Sequence, residues 1–181
     1  MFFPQSVAQW HAALNDFPAL LLVMALGFDI AAAATKRESL RAVAFWSLTV
    51  GAVGTLAALI SGLRAEDSMD HGGSVHLVLE RHETLAITVT LVFVALAAWR
   101  IWRRSAMGTG ERRAFMAASG LGVLLVLWTS HLGGTIVYEF GGGVSTTVLE
   151  GALQERQREH SHEQEVAASS VDTAAGDHQH D

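Results

Sequence analysis

Four blocks of the chain are almost purely apolar, and short charged or glycine-containing stretches separate them. Each block is roughly eighteen residues or longer, about 27 Å or more of helix at 1.5 Å per residue, within the range of lengths that span a bilayer core. They predict membrane spans at about 17–34, 42–63, 82–99 and 114–138. In the first, Asn15 or Asp16 is placed to cap a helix that has Pro18 in its first turn, where a missing N–H costs nothing. The second carries a face of small residues, Gly51, Gly54, Ala58, Ser61 and Gly62. Such a face lets helix backbones approach closely, or makes room for a flat cofactor. Ahead of the third span, Val75, Val78, Leu79 and His82 recur at helical spacing, so that helix begins before its apolar block.

Beyond Tyr138 the pattern breaks down. Residues 146–157 are expected to form a short helix at the membrane surface. Residues 158–181 are polar, lack aromatics and are predicted to be disordered. The predicted fold is all-α: an integral membrane four-helix bundle over residues 1–145, followed by a disordered His-containing tail. No internal repeat is evident by eye.

Half of the 181 residues are hydrophobic, in keeping with a chain whose main partner is the lipid bilayer. There is no cysteine, which excludes disulfide exchange, thiolate-bound zinc or iron–sulfur centres, and thioether-linked haem. The net charge of −6 is concentrated in the tail and one loop, and no basic aromatic patch offers a surface for nucleic acid. The N-terminal stretch lacks the basic segment and cleavage site of a secretory signal. Eight of the twelve Lys and Arg lie in the two links that follow spans one and three. The positive-inside rule puts those links in the cytoplasm, so both termini are expected in the periplasm of a bacterial inner membrane.

Histidine is the residue type that carries candidate chemistry. His11 precedes the first span, His82 opens the third, and His131 lies late in the fourth, all toward the outer side. Counting from Arg100 and Ala114, His82 and His131 lie about 27 Å and about 25 Å up their helices, level within one turn. His11 comes out higher, at about 37 Å from Lys36. Two level imidazoles on separate helices are the arrangement by which a bundle holds haem b, with one axial nitrogen on each face. His82 and His131 are therefore the expected axial ligands to haem iron. His11 is a third ligand or a partner for the propionates, along with Arg64 or Arg81. An intramembrane carboxylate, Asp29, has two readings: a relay group, or a partner for Lys36, Arg41 or Arg100 at the membrane edge.

A second set of donors, Met69, His71 and His76 with His11, suits periplasmic copper or zinc, and the tail adds His160, His162, His178 and His180. The third reading is a non-catalytic structural subunit in which the histidines only hydrogen-bond. Catalysis finds little support: no Ser–His–acid spacing, phosphate loop or HExxH is present.

Two segments resemble a bacterial four-span membrane family catalogued as domain of unknown function 2231. His11, Asp16, Phe17 and Pro18 match its opening motif, with Ala12 where the family has proline. His131, Gly133, Gly134, Val137, Tyr138, Gly141 and Gly143 match its glycine-rich close, and His82 sits where the family often has histidine. The resemblance covers about residues 10–145. It implies outward-side histidines and an association with Rieske-type iron–sulfur modules, hence electron transfer within a larger membrane redox complex. The expected role is an electron-transfer subunit rather than a stand-alone enzyme.

Overall fold

The computed structural model describes residues 6–67, 73–103, 106–144 and 146–176. Five helices follow one another: α1 Val7–Thr35, α2 Glu38–Glu66, α3 Gly73–Arg103, α4 Thr109–Tyr138 and α5 Thr146–Gly176. The first four are long and apolar enough to cross a membrane, and the chain is an all-α, multi-pass membrane protein. Each outruns its apolar block by several residues at one or both ends.

The largest difference from the sequence reading is the start of α1. Ser6, not Asn15 or Asp16, caps the helix, its hydroxyl accepting from Gln9 N at 3.2 Å. Pro18 therefore lies in the helix interior and is buried, packed against Gly54 of α2. A membrane helix tolerates this because a neighbouring helix shields the disturbed turn. The consequence is that His11 sits on a regular helix, continuous with the first span.

Helices α1 and α2 form one hairpin and α3 and α4 a second, and the hairpins pack through α2 against α3 and α1 against α4. Helices α1 and α3 are therefore diagonal. The small face of α2 serves close packing: a Cβ on Gly51 would lie 2.8 Å from Leu22, and one on Gly54 2.9 Å from Pro18. The core runs down the bundle through Leu22, Leu48, Val89, Phe93, Phe115 and Val126.

Several packing positions of the two hairpins recur at an offset of 71 residues, a repeat invisible to inspection of the sequence. Leu22 packs on Gly51 in the first, and Phe93 on Gly122 in the second. Leu22 and Phe93 are each 1% exposed, and the buried positions Ala25, Ala44 and Ala52 recur as Leu96, Phe115 and Val123. With α1 parallel to α3, the equivalence describes a pseudo-twofold axis along the bundle.

The segment Val144–Asp181 is a separate unit. Helix α5 continues through Gly176, past the point at which composition predicts an unstructured tail. Its described side chains, Thr147 to Gln164, are all exposed.

Candidate functional site, a histidine pair across the bundle axis

His11 reaches from α1 toward α2. Its Nδ1 lies 3.0 Å from Ala58 O and 3.2 Å from Ser61 Oγ, and the ring edge rests on Gly62, where a Cβ would come within 2.9 Å of Cε1. His82 repeats this from α3 toward α4. Its Nδ1 lies 3.0 Å from Thr129 O, and a Cβ on Gly133 would come within 3.1 Å of Cε1. Histidine, carbonyl and glycine all recur at the offset of 71. The two half-buried rings meet across the diagonal with centroids 6.5 Å apart and planes at 82°.

The hydrogen bonds decide the tautomers. A carbonyl oxygen only accepts, so each Nδ1 carries a proton and donates it. In a neutral imidazole the proton on Nδ1 leaves Nε2 as a bare lone pair. The fold thus fixes two imidazoles in one orientation each, with their Nε2 atoms unspent by these contacts.

His131 takes no part in this arrangement. The face of α4 that receives His82 is marked by Thr129 and Gly133, one turn apart. His131 lies two residues from each, about 200° around the helix. Its ring is exposed and packs against Trp128 at 5.8 Å, beside the exposed Leu124 and Leu127. Its counterpart in the first hairpin is Ile60, also outward-facing. The expected pairing of His82 with His131 is thus replaced by His82 with His11. Height was not the discriminator. Measured from the helix ends at Thr35, Arg103 and Thr109, the three histidines stand at about 36, 32 and 33 Å, all within a turn.

Of the alternative donor set, His76 is exposed at the start of α3, while Met69 and His71 lie outside the described residues, as do His178 and His180. His160 and His162 are exposed on α5. Arg64 and Arg81, the other candidates for holding propionates, are exposed near the histidine end. No group of three or more His, Cys, Asp or Glu placed to hold a metal ion occurs among the described residues.

Asp29 takes the second of its two readings. It forms a two-pronged ion pair with Arg100, Nη2 to Oδ1 at 2.8 Å, and the guanidinium also lies over Phe115 at 5.2 Å. Asp29 follows His11 by eighteen residues, and Arg100 follows His82 by the same number. Eighteen residues are five full helical turns, so each helix presents its two polar groups on one face, about 27 Å apart. The diagonal helices are clasped twice, by an ion pair at the basic end and by the imidazoles at the other, with the apolar core between.

The sequence reading missed Thr129 and Gly62 as the groups that orient and seat the rings. The signal was present as a shared spacing: His11 to Gly62 equals His82 to Gly133.

The family model described as predicted membrane protein (DUF2231) matches residues 8–146, the whole four-helix region. The chain belongs to that family. No curated protein and no solved structure matches it.

Proposed function

We propose that this member of the DUF2231 family holds haem b between His11 and His82 and carries single electrons at the histidine end of the membrane. The observation that carries the reading is the pair of equivalent imidazoles, each with its Nδ1–H committed to a carbonyl. Metal-bound histidine commonly anchors its second nitrogen in this way, which orients the ring and raises its basicity. The ring centroids stand 6.5 Å apart, near enough for one metal ion to be held by both imidazoles, whose nitrogens would bind at about 2 Å.

The donor set favours haem over a free ion. Structural zinc takes four protein ligands and catalytic zinc three, whereas haem would need no more than two from the protein. When bound, haem supplies reversible one-electron chemistry. The chain's residues then have separable tasks. His11 and His82 bind. Ala58, Ser61 and Thr129 hold the rings in one tautomer and orientation. Gly62 and Gly133 bring each ring against the helix backbone, and Leu85 and Val89 extend the apolar wall below His82. Arg64 and Arg81 are the cations nearest for propionates. His131 has no ligating role in this reading.

The Lys and Arg count supports a periplasmic position for this end. A carrier with one redox centre passes electrons between other proteins, so the account includes a larger membrane redox assembly. A pyridine–haem assay on detergent-purified protein from haem-replete cells tests the reading, with about one haem per chain expected. Haem-free protein would leave the histidines as hydrogen-bonding staples of a structural subunit. Copper or zinc recovered in place of haem, and lost on deleting residues 69–76, would favour the metal-handling alternative.

A further inference from the structure

At the end opposite the histidines, all four helices line a cleft of 760 Å³. Its wall combines cations (Arg41, Arg100 and Arg112) with an apolar side that includes Phe45, Trp46 and Met116. Arg41 and Arg112 are equivalent in the two hairpins, while Arg100 is taken up by Asp29. Their bonding differs. Arg41 pairs with Glu38 through Nη1, while its Nε is buried without a hydrogen-bond partner. The position equivalent to Glu38 is Thr109, and Arg112 has no side-chain ion pair or hydrogen bond among the described residues. The links at this end, with Asp29, hold eight cations against three carboxylates.

We propose that this cleft binds the phosphate of an anionic phospholipid, held by Arg41 and Arg112, with the acyl chains laid along Phe45, Trp46 and Met116. Charge complementarity selects an anion, because the two carboxylates in the wall are already engaged by Arg100 and Arg41. The apolar side selects an amphiphile over a free anion. Trp46 is 63% exposed beside the arginines, the amphipathic placement expected at a headgroup boundary. Basic pockets between spanning helices are a recurrent site for such headgroups. The assignment is independent of the haem reading.

The test measures the phosphatidylglycerol concentration that gives half-maximal rise in the melting temperature of the full chain in neutral-detergent micelles. Arg112→Gln raises it on the order of fivefold. Arg113→Gln, exposed one residue away and outside the cleft, shifts it less than about twofold because solvent and salt screen it. Ala42→Trp fills the cleft without altering charge and raises it as Arg112→Gln does, which decides the matter if the arginine variant fails to fold. Equal shifts for Arg112→Gln and Arg113→Gln, or none for Ala42→Trp, overturn the site. Protection by inorganic phosphate alone, matching that by the lipid, overturns the lipid assignment.

Discussion

Removing either half of the Asp29–Arg100 pair should cost more than removing both. The side chains are 11% and 12% exposed, so each charge has lost most of its water and depends on the other. Breaking a buried pair by deleting one partner typically costs about 3–5 kcal/mol, while replacing both with apolar groups is often near neutral. Arg100→Met strands the carboxylate between helices and also removes the contact with Phe115, about 0.5–2 kcal/mol more. Asp29→Leu leaves a guanidinium that keeps its aromatic contact and can extend toward the interface, so its loss is smaller, roughly 2–3 kcal/mol. The double variant should lose less than about 2 kcal/mol. Reversible unfolding in mixed micelles, followed by helical circular dichroism, gives the four free energies. Losses that add within about 0.5 kcal/mol would show the two groups to be uncoupled and refute the clasp.

Three further outcomes follow from the packing. Gly62→Ala puts a methyl 2.9 Å from His11 Cε1 and should displace that ring, whereas Gly133→Ala, at 3.1 Å from His82, asks for a shift of a few tenths of an ångström; haem retention should fall further in the first, read as absorbance per chain. Lys36 caps α1 in the left-handed region at φ 56°, so Lys36→Gly should raise stability by about 0.5–1 kcal/mol, read from the same unfolding titration. Truncation after Gly143 should leave the bundle's melting temperature unchanged, because Val144–Asp181 is a separate unit and the described side chains of α5 are exposed.

The spans were legible because burial in lipid demands long apolar runs, and nothing else in the chain competes with that signal. Helix ends were less so: Ser6 as a cap looks like any serine, and Pro18 looked like a first-turn residue because interior prolines are rare outside membranes. The histidines were legible as residues and as a level, since helix rise converts sequence distance into height. Which of them face one another was not read, because that depends on azimuth. Thr129 and Gly133 share a face that His131 lacks, a distinction of two residues in a helix apolar on nearly every side. The repeat escaped for a related reason. Lipid-facing and core positions accept many apolar residues, so Leu22 became Phe93 and Ala44 became Phe115 without loss of packing. Among the polar residues only the histidines and the pair Arg41 and Arg112 keep their identity, together with two of the packing glycines, Gly51 and Gly62. Asp29 and Arg100 hold equivalent positions with opposite charge, which allows them to pair across the axis.

The reduced-minus-oxidised visible spectrum of three single variants tests the histidine pair most directly. The account predicts that the Soret and α-bands of the purified protein disappear in His11→Ala and in His82→Ala and persist in His131→Ala. Bands that survive in His11→Ala but vanish in His131→Ala, or a colourless parent protein from haem-replete cells, would contradict it.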